Sequence, residues 1–133
     1  MAQTRNRKLV LVVEDSPAQS IHLQAVLEKE GIGCVLASNG QTGLYLAQAL
    51  LPEAVILDLE MPLMNGFEVC RELKTSPETM HVPVILMTRF DDLDSMKQGF
   101  EMGAVEFIPK DSFADAVLLE TLRQMKILPT RIE

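Results

Sequence analysis

Residues 54–66 read AVILDLEMPLMNG, a stretch that joins an apolar run directly to a carboxylate. The run Ala54–Leu57 has no polar alternation, which is typical of a strand covered on both faces of a sheet. Asp58 follows at once. Burying an unpaired carboxylate is costly, so Asp58 needs either a charged partner or a chemical use.

Similar apolar runs recur along the chain with helix signals between them. The predicted strands are Leu9–Val13, Cys34–Ala37, Ala54–Leu57, Val82–Met87 and Val105–Ile108. Ser16 and Pro17 supply the N-cap and first position of a helix that ends at Gly31. Asn39 caps a second helix, which ends before Pro52.

Three more helix starts complete the pattern. Gly66 opens a third helix, and Asp91 or Asp92 caps a fourth. Ser112-Phe-Ala-Asp115 matches a capping box, with Asp in place of Glu, before an amphipathic stretch at Ala116–Met125. This alternation predicts an α/β fold of (βα)5 type, a doubly wound parallel sheet with helices on both faces.

The composition is ordinary for a globular domain, with 47% hydrophobic and 23% charged residues in a chain of 133. The net charge of −7 and the lack of a Lys/Arg cluster argue against a nucleic-acid surface. Leu9–Val13 is too short for a signal peptide, and no stretch reaches the about 20 apolar residues of a membrane span. We therefore expect a cytoplasmic protein with one domain at residues 8–127, flanked by tails at 1–7 and 128–133.

Charged or hydroxylated side chains stand at the ends of four of the five runs. They are Glu14 and Asp15 after the first run, Asp58 after the third, Thr88 at the end of the fourth and Lys110 after the fifth. In open parallel sheets the functional crevice lies at the carboxyl ends of the strands, near the point where the strand order reverses. We therefore expect these side chains to meet in one crevice.

The charges of this set predict a chemistry. Three carboxylates about 5 Å apart, at an effective dielectric of about 20, repel by about 3 kcal/mol per pair. A divalent cation would offset this repulsion, and oxygen ligands favour Mg²⁺, since Cys34 and Cys70 fit no ligand spacing and are expected to be free thiols. Asp58 would then be a nucleophile toward phosphorus, with Lys110 and Thr88 stabilising the phosphoryl oxygens.

These motifs resemble the receiver domain of bacterial two-component response regulators, of the single-domain, chemotaxis type. The resemblance rests on four segments in the family's order: VLVVEDSP, VILDLEMPLMNG, VPVILMT and FIPK. It covers essentially the whole chain. It implies a flavodoxin-like three-layer sandwich with the sheet order 2-1-3-4-5.

The resemblance also implies roles for individual residues. Asp58 is the phospho-acceptor, and Glu14 and Asp15 form the acidic pair that organises Mg²⁺, with Asp15 as a direct ligand. The backbone carbonyl of Glu60 is the family's third protein ligand. Lys110 contacts the phosphoryl group.

A switch and a set of partners follow from the same resemblance. Thr88 is the switch hydroxyl and Phe107 the aromatic switch residue, which phosphorylation biases toward a buried rotamer. That change would remodel the face made by helix 4, strand 5 and helix 5 for a downstream protein target. The phosphoryl donor is a sensor histidine kinase or a phosphotransfer protein, and a homodimer is left open.

The chain catalyses only its own phosphorylation and dephosphorylation, and it is either free-standing or a piece of a larger hybrid kinase.

Three features depart from the family pattern, and the third is Glu60, which flanks the route of an attacking water. The order Pro109-Lys110-Asp111 replaces the usual lysine-proline, so a cis peptide after the lysine is not predicted. Arg89 follows Thr88 where a small residue is usual. Because Glu60 and Arg89 flank the same site, we hypothesise that they pair and tune the lifetime of phosphorylated Asp58.

Three other functions compete with this one. A degenerate receiver would bind partners without phosphorylation, and only the complete residue set argues against it. A phosphatase of the haloacid dehalogenase type would need an acid/base carboxylate two residues after the nucleophile, where Glu60 is a weak substitute. A flavin-binding module would need a phosphate loop after the first strand, whereas Glu14 and Asp15 would repel phosphate.

Overall fold

The computed structural model describes residues 8–89 and 92–129 as strands that alternate with helices. The strands of this part of the chain are β1 Leu9–Val13, β2 Gly33–Ala37, β3 Ala54–Asp58, β4 Val84–Thr88 and β5 Glu106–Pro109. Its helices are α1 Pro17–Lys29, α2 Gly40–Leu50, α3 Gly66–Thr75, α4 Leu93–Glu101 and α5 Ala114–Gln124. The predicted (βα)5 alternation is confirmed.

The strands form one parallel sheet in the order β2-β1-β3-β4-β5. The chain runs from β1 to β2 on one side and then returns to place β3 on the other side of β1. The order therefore reverses between β1 and β3, which opens a crevice at the carboxyl ends of these two strands. The doubly wound, flavodoxin-like order 2-1-3-4-5 is confirmed.

Alternate side chains of each strand enter two separate core layers, as the period of a strand requires. Leu11, Val13 and Leu57 face one layer, which α2, α3 and α4 cover. Val12 and Ile56 face the other layer, which α1 and α5 cover. Because helices cover both faces of the sheet, all five residues of β3 and of β4 are buried, including Asp58 and Thr88.

Most of the predicted helix starts are present. Ser16 accepts a hydrogen bond from Gln19 N, and Asn39 accepts one from Thr42 N. Asp92 caps α4 through Ser95 N, while Asp91 lies outside the described residues. Before α3, Asn65 and Glu68 form a reciprocal capping box that was not predicted from the sequence.

The predicted capping box at Ser112–Asp115 is wrong. Helix α5 begins at Ala114, and its N-cap Phe113 makes no side-chain capping bond. Asp111 Oδ1 instead accepts from Phe113 N at 2.8 Å, and Asp115 Oδ2 lies 2.7 Å from Nε2 of His22 on α1. The backbone N–H of Phe113 is thus satisfied by Asp111, which precedes the predicted capping box.

Two residues near the end of the described chain, Ile127 and Leu128, belong to the core. Leu128, at the start of the predicted C-terminal tail, is 4% exposed and packs in the layer under α1 and α5. Cys34 and Cys70 are free thiols. Within residues 8–89 and 92–129, no helix has the length and apolar character that crossing a membrane requires.

Candidate functional site

The polar residues at the strand ends meet at the carboxyl edge of the sheet, as predicted. Glu14 follows β1, Asp58 ends β3, and Thr88 ends β4. All three are almost fully buried, with exposed fractions of 3%, 5% and 0%. Lys110 directly follows β5, and its side chain is 15% exposed. The sheet therefore brings two carboxylates, a hydroxyl and an ammonium into a sheltered crevice.

Glu14, Asp15 and Asp58 form an acidic cluster. Each offers a carboxylate oxygen, and these atoms all lie within 4.8 Å of one another. Asp15 is the exposed member, so it faces the direction from which an ion in water would arrive. An oxygen-only set with a solvent-facing side suits Mg²⁺, which binds one or two carboxylates and keeps several waters. The cluster therefore fits the predicted metal by its chemistry.

Lys110 connects the acidic cluster to β5. Its Nζ donates to Glu14 Oε1 at 2.9 Å and to Asp58 Oδ1 at 3.1 Å. It also donates to Oε1 of Gln19 on α1, at 2.6 Å. Gln19 was not among the site residues predicted from the sequence.

Burial and charge change the acidity of Asp58. Desolvation, together with the negative charge of Glu14, raises the pKa of Asp58 from 3.8 to about 6. Lys110 and the backbone N–H of Glu60 act in the opposite direction. Because the three carboxylates of the cluster face one ammonium, that of Lys110, the pocket also has an excess of negative charge when all three are ionised. An added cation would therefore be stabilised there.

Glu60 and Arg89 form an ion pair at the rim of the crevice. Arg89 Nε donates to Glu60 Oε1 at 3.3 Å, and the two side chains are 70% and 29% exposed. Glu60 is also tied to the acceptor, since its backbone N–H donates to Asp58 Oδ1 at 3.2 Å. The pairing suggested by the sequence is thus present, two residues along the chain from Asp58.

Phe107 is already buried, with an exposed fraction of 5%. It lies on β5 opposite Leu86, and Gly99 of α4 covers its ring. A Cβ at Gly99 would lie 3.2 Å from Phe107 Cδ2 and 2.8 Å from Leu86 Cδ1. The absence of a side chain at Gly99 therefore lets α4 pack closely over the ring. The ring is thus already buried in this structure, as the resemblance expects after phosphorylation.

A family model and two curated relatives all assign this chain to the same protein family. The family model described as response regulator receiver domain matches residues 10–123. Response regulator PleD of Caulobacter vibrioides is 40% identical over 116 residues, which cover 87% of this chain but only 25% of PleD. Protein PilH of Pseudomonas aeruginosa is 36% identical over 113 residues, 85% of this chain and 93% of PilH.

The solved structures agree with this fold. The signal receiver domain of a signal transduction histidine kinase from Syntrophus aciditrophicus superposes with a TM-score of 0.82 at 34% identity, over 95% of each chain. The Vibrio cholerae chemotaxis protein CheY4 superposes with a TM-score of 0.83 at 26% identity, over 90% of this chain and 98% of CheY4. With the family model covering most of its length, this chain belongs to the response regulator receiver domain family of two-component systems.

Proposed function

We propose that this chain accepts a phosphoryl group on Asp58 in a Mg²⁺-dependent reaction. Receiver domains accept phosphoryl groups from histidine kinases, act on downstream targets, and bind Mg²⁺ at an acidic pocket. The observation that supports this role here is the contact of Lys110 Nζ with Asp58 Oδ1 at 3.1 Å, beside carboxylates that lie within 4.8 Å of one another. A degenerate receiver would have no need to retain this complete set.

The proposed donor is a phosphohistidine of a sensor histidine kinase or of a phosphotransfer protein. An oxygen of the Asp58 carboxylate attacks the phosphorus, the P–N bond breaks, and the imidazole leaves with the electron pair of that bond. The product is an acyl phosphate on Asp58. Lys110 then neutralises charge on the phosphoryl oxygens and the Thr88 hydroxyl donates to one of them, which are the contributions that phosphoryl transfer mainly needs.

Asp15, Asp58 and the backbone carbonyl of Glu60 are the proposed Mg²⁺ ligands, with Glu14 as the second member of the acidic pair. The ion would supply positive charge that draws the phosphoryl oxygens toward Asp58. Glu14 has a structural task as well, because its Oε2 accepts from Ser16 N at 3.1 Å. That bond joins the acidic loop to the start of α1.

The proposed output surface is the face made by α4, β5 and α5. It exposes large apolar side chains: Leu93, Phe100, Val105, Phe113 and Val117. Such side chains on one face suit a downstream protein target. Thr88 and Phe107 would connect the phosphoryl group to this face. Since Phe107 is already buried, the change that this account requires is a movement of Thr88 and α4 rather than a large rotation of the ring.

We also propose that the Glu60–Arg89 pair tunes the lifetime of phosphorylated Asp58 by covering the approach of water. The pair stands at the rim, and its Glu60 backbone contacts the acceptor carboxylate. Glu60→Ala and Arg89→Ala should each change the autodephosphorylation rate, and the double variant should resemble the single ones, because either change breaks the same contact. Unchanged rates in both single variants would exclude this role.

Intact mass after incubation with a small acyl phosphate or a phosphoramidate donor and Mg²⁺ tests phospho-acceptance. We expect one adduct of about 80 Da, which is absent from Asp58→Asn and retained in the control Asp94→Asn. EDTA should suppress the adduct. A wild-type protein that gains no mass in the presence of Mg²⁺ would instead favour the degenerate receiver.

A further inference from the structure

The Lys110 ammonium has a third partner outside the receiver motif. An ammonium has three N–H donors, and three side-chain oxygens surround this one. Two are the carboxylate oxygens of Glu14 and Asp58, at 2.9 and 3.1 Å. The third is Gln19 Oε1, and at 2.6 Å it is the closest. The oxygen closest to the Lys110 ammonium therefore belongs to a neutral amide on α1.

The start of α1 explains why Gln19 is available for this contact. Ser16-Pro-Ala-Gln19 has the spacing of a capping box, in which the Gln side chain would return to the N–H of the capping serine. Ser16 Oγ does accept from Gln19 N at 3.3 Å. The N–H of Ser16, however, donates to Glu14 Oε2 at 3.1 Å. Because Glu14 satisfies that donor, the Gln19 side chain is released from the cap and reaches Lys110.

The cavity beside Lys110 indicates that the contact with Gln19 keeps water from the ammonium. Gln19 and Lys110 both line a cavity of about 460 Å³ between α1 and the start of α5. Lysine has a flexible four-carbon stem and a strongly hydrated head. Without an acceptor on α1, water in this cavity would compete with Asp58 for the ammonium. A neutral acceptor prevents this without adding a negative charge to the acidic cluster.

We infer that Gln19 is a positioning residue that holds the Lys110 ammonium against Asp58 and thereby accelerates phosphoryl transfer. The inference rests on the proposed function, since it concerns the rate at which Asp58 is phosphorylated. Gln19 does not touch the reacting atoms. It acts through Lys110, whose charge must already be in place when negative charge develops on the phosphoryl oxygens.

Gln19→Met tests the inference, because it keeps the length of the side chain and removes the acceptor. Gln48→Met, on the exposed side of α2, is the matched control. We expect phosphorylation of Gln19→Met by a small acyl phosphate with saturating Mg²⁺ to be slower by about three- to tenfold, the loss expected for one intramolecular hydrogen bond of ordinary net strength. The rate for the control and the urea midpoints of both variants should equal those of the wild type.

A spectroscopic signature separates positioning from a general structural effect. With ¹⁵N-labelled lysine, the Lys110 Nζ signal, assigned by its loss in Lys110→Arg, should exchange slowly with water in the wild type and in Gln19→Glu, which keeps an acceptor. In Gln19→Met this exchange should be several-fold faster. If Lys110 exchanges equally fast in wild type and Gln19→Met, or if the phosphorylation rate of Gln19→Met equals that of its control, the inference is wrong while the proposed function stands. A wild-type protein that is never phosphorylated overturns both.

Discussion

Neutralising Asp58 should stabilise the metal-free protein, although the substitution removes an ion-pair partner of Lys110. Folding raises the pKa of Asp58 from 3.8 to about 6, mainly through desolvation and through the charge of Glu14. Between these two pH values the folded state binds more protons than the unfolded state, so the free energy of unfolding falls as the pH rises. This decrease in the free energy of unfolding is complete above about pH 6 and absent below about pH 4.

The size of the effect follows from the shift. About two pKa units at about 1.4 kcal/mol each give a destabilisation of up to about 3 kcal/mol at neutral pH. Asp58→Asn removes the titrating group. In EDTA at about pH 7.5 its free energy of unfolding should therefore exceed that of the wild type by up to about 3 kcal/mol, with little difference at about pH 4.

Urea unfolding at both pH values measures this difference. Glu101→Gln, which replaces an exposed carboxylate at the end of α4 and keeps Asp58, is the control and should match the wild type at both pH values. Mg²⁺ at about 100 times its dissociation constant should stabilise the wild type by about 2.7 kcal/mol, and the variant by much less. If Asp58→Asn is equally or less stable than the wild type at neutral pH in EDTA, the argument that this pocket holds an uncompensated negative charge is refuted.

Three further changes have defined outcomes. Gly66→Ala would place a Cβ 2.6 Å from the carbonyl oxygen of Asp58. Because backbone atoms cannot move aside cheaply, the free energy of unfolding in urea should fall by about 2 kcal/mol or more. An unchanged urea midpoint would contradict this packing. Leu118→Ala, at a fully buried position of α5, should lower the free energy of unfolding by about 2–5 kcal/mol. Val117→Ala, at a 44% exposed position, should lower it by less than about 1 kcal/mol. Equal losses would show that α5 packs by a different face. Burial raises the pKa of the Cys70 thiol to about 11. A thiol reagent at about pH 8 should therefore leave Cys70 unmodified until urea unfolds the chain. Rapid labelling of Cys70 in the native protein would contradict its burial.

The fold was predictable because its strands are covered on both faces. A strand of that kind needs a continuous apolar run, and five such runs between capped helices admit few topologies. Asp58 and Thr88 were predictable for a related reason. A polar residue at the end of a buried run is informative only because the carboxyl ends of parallel strands share one edge.

Gln19 could not be found by the same reasoning. Its local pattern, Ser16-Pro-Ala-Gln19, has the spacing of a helix cap, and its partner Lys110 is 91 residues away in the sequence. Only the three-dimensional structure shows that Glu14 has taken the backbone donor of the cap. The false capping box at Ser112 has the same origin, since a distant residue, His22, contacts the carboxylate that the local pattern assigned to the cap.

Mapping the phosphorylated residue is the sharpest test of phosphoryl transfer to Asp58. After incubation with an acyl phosphate donor and Mg²⁺, borohydride reduction converts an aspartyl phosphate to homoserine, which mass spectrometry of peptides locates in the sequence. We expect homoserine at residue 58 and at no other position. Conversion of a different carboxylate, or of none, would contradict it.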